Sequence, residues 1–190
     1  MELLMVRHLP TEWNKMGILQ GLKDIPILPV LAKDKKKIKE NRKVIERFNP
    51  EIVLVSELIR TKQTALEYGF DHPVIEPLLN ELHFGLYEGT LKKELEKNKQ
   101  WFVNPRLLRF GEHLIHFEQR IVNFLNKYCH YSRVLAFGHG SWMRACMSLV
   151  QVGTIEKMNQ VIVENNELIH LPKIEIAQLG REEASFDVSN

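Results

Sequence analysis

Arg7 and His8 stand side by side at the end of a short apolar run, Leu3-Leu4-Met5-Val6. A second run, Ile52-Val53-Leu54-Val55, ends in Ser56 and leads on to Arg60. A third, Val134-Leu135-Ala136-Phe137, ends in Gly138-His139-Gly140. Guanidinium forks match phosphate oxygens bidentately and keep their charge at any working pH. An imidazole beside them can serve as nucleophile, base or hydrogen-bond donor near neutrality. Glycine next to His139 lets backbone approach a ligand closely, and a helix starting there would aim its N-terminus at an anion. Residues of these types, brought together, suit a phosphate dianion.

They meet only if the three runs are neighbouring strands. Four-residue runs without polar alternation read as strands covered on both faces, as in a parallel sheet. Helical patterns lie between them, over residues 33–48, 61–68, 112–128 and 141–150. The longest repeats Leu114, Phe117, Ile121, Phe124 and Leu125 at spacings of three and four. Strands alternating with helices imply a layered α/β domain with right-handed crossovers. Ligands of such sheets bind beyond the carboxyl ends of the strands, where Arg7, His8, Arg60 and His139 all fall. Residues 168–171 and 174–179 read as edge strands. Residues 85–111 have little periodicity and contain Gly89, Pro105 and Gly111, which predicts a short helical excursion over one end of the sheet.

Composition narrows the function classes. The 190 residues are enough for one domain, expected to run from 1 to 190, and 44% hydrophobic content supports a packed core. Lys plus Arg number 26 against 24 Asp plus Glu, a net +2 that is too even for a nucleic-acid wrapper. The run Lys33-Asp34-Lys35-Lys36-Lys37-Ile38-Lys39 is diluted by Glu40, Glu46 and Glu51 and reads as a solvated helix face. No apolar stretch approaches the ~18 residues of a membrane span. Residues 1–7 lack a basic stretch followed by a long apolar one, so a cytoplasmic location is expected. Cys129 and Cys146 make neither a metal pair nor a disulfide framework. His113 and His116 have no acidic or thiol partner nearby in sequence and read as surface or cap residues, so no metal site is expected. Trp13, Trp101 and Trp142 read as packing residues, with Trp101 placed to line an entrance.

A series of motifs carries a resemblance. Arg7-His8-Leu9-Pro10-Thr11-Glu12-Trp13-Asn14 is followed by Leu19-Gln20-Gly21 with Asp24-Ile25-Pro26. Then come Ser56-Glu57-Leu58-Ile59-Arg60-Thr61-Lys62-Gln63-Thr64-Ala65 and Glu81-Leu82-His83-Phe84-Gly85-Leu86-Tyr87-Glu88-Gly89. Gly111-Glu112 before the long helix and Gly138-His139-Gly140 complete the series. The chain resembles the histidine phosphatase superfamily, which includes the cofactor-dependent phosphoglycerate mutases.

That resemblance implies an α/β fold, a three-layer αβα sandwich with a mostly parallel central sheet and a short helical excursion over the active site. It implies that His8 is a nucleophile forming a phosphohistidine. Arg7, Arg60 and His139 would hold the phosphoryl oxygens, and Glu81 would act as general acid and then base. Asn14, Gln20, Gly21 and the backbone of Gly140 would contact the phosphate or the rest of the substrate. No metal or cofactor would be needed, and the partner would be a small phosphorylated substrate rather than nucleic acid or membrane.

Departures from the family pattern bear on the substrate more than the activity. Leu9 and Pro10 replace a small and an acidic or amide residue, and His83 and His113 replace a frequent Asp and Ser. A positive φ at Leu9 would cost about 1–3 kcal/mol, and bulk there could narrow the pocket mouth. Lys92, Lys93, Arg106 and Arg109 either contact an acidic substrate tail or are simply solvated. The expected activity is phosphomonoester hydrolysis. Mutase-type phosphotransfer is disfavoured by Leu82-His83-Phe84-Gly85 after the acid and by a length that leaves little room for insertions. A protein-phosphohistidine phosphatase would need a shallower site, and a non-catalytic phosphate-binding module draws only on Leu9 and Pro10.

Overall fold

The computed structural model describes residues 1–175. Five strands form one sheet: β1 (Glu2–Arg7), β2 (Ile52–Val55), β3 (Val74–Ile75), β4 (Arg133–Gly138) and β5 (Leu168–Leu171), in the order β3-β2-β4-β1-β5. β4 pairs in parallel with both β1 and β2, β3 pairs in parallel with β2, and only β5 runs antiparallel. Register places Arg7 opposite Gly138 and Val55 opposite Phe137, so the three chemical strand ends lie in one row.

The apolar runs divide by alternation between two cores. Leu3, Met5, Leu54, Val134 and Ala136 face one side, while Leu4, Val6, Val55, Leu135 and Phe137 face the other. On the first side pack α6 (Leu114–Tyr128) and α7 (Gly140–Val152); on the second pack α2 (Ala32–Phe48) and α3 (Ile59–Glu67). α6 buries Leu114, Phe117, Ile121, Phe124 and Leu125, the stripe its periodicity predicts. α2 is thinner and charged, buries Ile38 and Ile45, and turns its lysine run to solvent. The result is the expected αβα sandwich.

Three short helices complete the chain: α1 (Glu12–Lys15), α4 (Lys92–Glu96) and α5 (Gln100–Val103). α4 and α5 lie in the 85–111 excursion, whose Trp101 and Phe110 form an aromatic cluster with Phe84 just before it. The 168–171 segment is the edge strand expected. Of the 174–179 segment, Ile174 and Glu175 are irregular and the remainder lies outside the described residues. β3 has no sequence signature, because two exposed residues offer no periodicity. No helix among the described residues is long and apolar enough to cross a membrane.

Glu76 ties the β3 edge to α6. Its Oε2 accepts from Tyr128 Oη at 2.5 Å and Lys127 Nζ at 2.6 Å, and its Oε1 accepts from Leu78 N at 2.9 Å. Burial opposes the charge, but the Lys127 and Tyr128 hydrogen bonds outweigh it and hold the carboxyl below its ordinary pKa. A depressed folded pKa contributes stability that is fully present above the unfolded value of ~4.3 and is lost as pH falls through the folded one. Glu76→Gln should therefore cost about 1–3 kcal/mol at neutral pH. In thermal unfolding the gap between wild type and variant should close as the pH drops below about 4. A gap that persists undiminished in acid would show that shape, not charge, is what Glu76 contributes.

Candidate active site

The nucleophile candidate sits where β1 leaves the sheet. His8 is buried, and its Nδ1 lies 2.7 Å from the Leu9 carbonyl. A carbonyl only accepts, so Nδ1 carries the hydrogen and Nε2 keeps a free lone pair. Burial first, then the Arg60 and Arg7 charges, push the ring well below its ordinary pKa and keep it neutral. The backbone around it is fixed from several directions. His8 N donates to Gly138 O at 3.0 Å, Leu9 N to Thr64 Oγ1 at 2.9 Å, and Asn165 Nδ2 to His8 O at 2.9 Å. Asn166, in the left-handed region at φ 61°, donates its N–H to Arg7 O at 3.1 Å. Leu9 has no such strained backbone. It is buried in the α2–α3 core and faces a separate groove, so it neither stores strain nor narrows the cavity.

Arg60 is the best-anchored charge. On α3, 1% exposed, it donates through one Nη to Lys23 O at 2.7 Å, through the other to Gly21 O at 2.8 Å, and through Nε to His139 Nδ1 at 3.2 Å. Burial pulls its pKa down to about 10 against the pull of Glu81 and Asp24, which still leaves it charged at neutral pH. Because Arg60 Nε must donate, His139 Nδ1 accepts, and the ring proton sits on Nε2, 2.8 Å from Ser56 Oγ. Burial, then Arg60, His8 and Arg7, hold this second imidazole well below its ordinary pKa as well. The two rings lie 5.4 Å apart.

Arg7 reaches the same place from β1, one Nη donating to Val163 O at 2.6 Å. Its Nε and the Gln20 Oε1 are buried with no partner among the described residues. Gly140 gives this approach its room: a Cβ there would lie 3.2 Å from the Arg7 Cζ, a tight contact. Gly21 sits at φ +51°, and a Cβ there would run into the Glu88 carboxylate.

Glu81 caps the end of α7 from outside. Its Oε2 accepts from Ser141 N at 3.1 Å, and its Oε1 accepts from Trp142 N at 3.1 Å and Leu82 N at 3.0 Å. Ser141 N and Trp142 N are helix N-terminal donors with no partner inside the helix, and a carboxylate satisfies them. Arg120 of α6 fixes the approach segment, donating to Asn80 O at 2.5 Å, Leu78 O at 3.1 Å and Glu81 O at 3.2 Å. It also pairs at 2.9 Å with Glu112, which accepts from His83 N.

One cavity of about 270 Å³ unites these groups, with Arg7, His8, Asn14, Gln20, Gly21, Arg60, Glu81 and Gly140 in its wall. His139 is the expected site residue that does not line it, standing behind Arg60 at 0% exposure. Trp101 does line the cavity, as do Lys92 and Glu96 from α4. Arg106 is instead tied to Glu118 at 3.0 Å, and neither it, Lys93 nor Arg109 reaches the wall. Sequence reasoning passed over Arg144, Arg120 and Asn165. Arg144 stands one turn beyond Gly140 on α7 and its place follows from helical spacing alone, whereas the other two have no local signal. Among the described residues no group of three or more His, Cys, Asp or Glu side chains could hold a metal.

Comparison with known proteins gives one family. The model of the histidine phosphatase superfamily (branch 1) matches residues 3–177. A protein of Hydrogenobacter thermophilus, named provisionally phosphoserine phosphatase 2, is 29% identical over 86% of this chain and 85% of its own length. Sedoheptulose 1,7-bisphosphatase of Saccharomyces cerevisiae is 24% identical over 90% of this chain and 78% of that protein. In structure the chain is similar to a phosphoserine phosphatase from Entamoeba histolytica, crystallised with 3-phosphoglyceric acid. The TM-score is 0.74 at 21% identity, covering 89% of each chain, a likeness of fold.

Both imidazoles should be neutral at pH 6.5, where an unperturbed histidine is half protonated. Nitrogen NMR should find the hydrogen on Nδ1 of His8 and on Nε2 of His139. Since both folded pKa values are lowered, their contribution to stability is complete above ~6.5 and is lost as pH falls from there toward the folded values. A ring still half protonated at or above pH 6.5 would contradict the assigned tautomers.

Proposed function

The chain belongs to the histidine phosphatase superfamily (branch 1), and from that premise we propose that it is a phosphomonoester hydrolase acting on a small phosphorylated metabolite through a phosphohistidine on His8. The observation that carries this reading is the free Nε2 lone pair of a neutral His8 in the wall of a cavity shared with Arg7, Arg60 and Glu81. The small cavity favours a compact substrate.

In the first step Nε2 attacks phosphorus and the ester P–O bond breaks. Its electron pair goes to the leaving oxygen, which takes a proton from the Glu81 carboxyl. The Nδ1–H to Leu9 O bond then stabilises the positive charge gained by the ring. In the second step water attacks phosphorus, Glu81 as carboxylate takes its proton, and the P–N pair returns to Nε2. Arg7 and Arg60 neutralise the equatorial oxygens throughout. A phosphoryl oxygen is a better acceptor for Arg60 Nε than a neutral imidazole.

The two guanidiniums supply the charge that a metal otherwise would, so activity should need no added ion. A non-catalytic phosphate-binding module draws on Leu9 and Pro10, and of these Leu9 is a core residue in ordinary backbone.

Acid-labile, alkali-stable phosphate should be trapped on the protein from an aryl phosphate, with exhaustive chelation leaving turnover intact. His8→Ala should abolish both trapping and turnover while the thermal unfolding profile is retained. Near-normal turnover by that variant would sink the assignment.

Glu81→Gln should slow hydrolysis of an alkyl phosphate by roughly the 10²–10⁴-fold typical of a general acid. In single-turnover measurements an aryl phosphate, whose phenolate leaves without help, should phosphorylate His8 with much smaller loss. Equal losses for the two leaving groups in that step would mean that Glu81 only shapes the pocket.

A further inference from the structure

Asn14 stands in the cavity wall, and its side-chain oxygen is already fully used. Oδ1 accepts from Thr11 N at 3.1 Å, from Thr11 Oγ1 at 3.1 Å and from Asn165 Nδ2 at 3.2 Å. A backbone N–H only donates, so the Thr11 contact settles which end of the amide is oxygen. What Asn14 has left to offer the cavity is Nδ2, uncommitted among the described residues. Its two hydrogens suit a phosphoryl oxygen.

The Asn165 amide is oriented just as firmly. His8 O can only accept, so the Asn165 group 2.9 Å from it is Nδ2, whose other hydrogen goes to Asn14. One amide thus joins the backbone of the nucleophile to the oxygen of Asn14. Its own place comes from the sheet. Residues 164–167 form a turn closed by Glu167 N donating to Glu164 O at 3.1 Å, with Asn166 in the left-handed conformation that asparagine tolerates. Arg7 N donates to Glu167 O at 2.9 Å and Asn166 N to Arg7 O at 3.1 Å, so the turn rides on the end of β1. Buried Tyr68, at the end of α3, locks it by donating to Asn166 Oδ1 at 2.5 Å. α1, which carries Asn14, is held far less. It is four residues long and buries none of them, so packing does little to fix it. Both Thr11 bonds lie within its own first turn and orient the amide only relative to α1. The Asn165 bond is what ties that amide to His8.

Resting on the phosphatase reading, we infer that Asn165 is a positioning residue, which braces the Asn14 amide against the His8 backbone so that Asn14 Nδ2 meets the phosphoryl group His8 attacks. Asn14 lies in the walls of both the catalytic cavity and a separate groove behind it, whereas Asn165 lines the groove alone. Asn165 therefore touches no substrate and acts through Asn14. Its donors are spent on two acceptors that would otherwise be free to drift apart, one on β1 and one on α1.

The test is a double-mutant cycle read by calorimetry with phenylphosphonate, which binds without turning over. Asn14→Ala should weaken binding about tenfold or more, the scale of a hydrogen bond to a charged group. Asn165→Ala should weaken it about three- to tenfold, and the double variant should stay within about twofold of Asn14→Ala, because a brace is worth nothing once its load is gone. Values of kcat/KM for phenyl phosphate should fall in the same order. Unchanged affinity in Asn165→Ala, with only the melting temperature lowered, makes Asn165 a mere turn former and overturns the proposal. Multiplied losses in the double variant overturn it too, since Asn165 would then act without Asn14. Should Asn165→Ala fail to fold, side-chain amide NMR of the wild type decides. The Asn14 NH2 signals should move on adding phenylphosphonate, while the Asn165 NH2 stays protected from exchange throughout. An Asn14 amide indifferent to the phosphonate, or an Asn165 amide that exchanges freely, sinks the brace. A binding cycle that couples as expected in a protein hydrolysing no ester upholds the brace and overturns the phosphatase reading, and turnover without coupling does the reverse.

Discussion

The hydrogen bond from Arg60 Nε to His139 Nδ1 sets the terms for the rest of the site. Two guanidiniums and two imidazoles crowd one buried crevice, and four positive charges there would repel strongly. The fold avoids this by keeping both rings neutral and giving each guanidinium carbonyl acceptors: Gly21 and Lys23 for Arg60, Val163 for Arg7. Arg60 gives its remaining Nε hydrogen to an imidazole lone pair. That choice fixes the His139 tautomer and engages Ser56, while the Leu9 carbonyl takes the His8 Nδ1 hydrogen and leaves the Nε2 lone pair uncommitted. Neutral histidines beside charged arginines are therefore one electrostatic solution rather than two features.

The opposite charge is placed by the sheet. Parallel strands send their helices off from one edge, so α7 starts in the crevice with its N–H groups unpaired. Glu81 answers them from a different part of the chain, held by Arg120 through three carbonyls of the segment that carries it. A carboxylate that caps a helix and faces a phosphoryl site is thus oriented twice, by donors in front and a guanidinium behind. The same helix carries Arg144 into the wall.

Residue departures from the family pattern fall on either side of this framework. Leu9 looked like a threat to the nucleophile and is in fact a core residue whose N–H is held by Thr64. His83 packs against Gly111, where a Cβ would meet its ring, and lies outside the cavity wall. The excursion and α7 bring Lys92, Glu96, Trp101 and Arg144 to the cavity wall.

The apolar runs at 3–6, 52–55 and 134–137 announce buried parallel strands, because covering both faces forbids polar alternation. Residues at their exits announce phosphate chemistry, because local motifs keep Arg7-His8, Arg60 and Gly138-His139-Gly140 at strand ends whatever surrounds them. That much is local and was legible in the sequence. β3 was not, since two exposed residues leave no pattern, and neither was the antiparallel direction of β5, which depends on where the chain returns. The position of His139 behind Arg60, the clamp of Arg120 and the hold of Asn165 and Asn166 on the nucleophile join residues roughly 40 to 160 apart. Such contacts depend on helix rotation and packing across the sheet, which only the assembled tertiary structure decides.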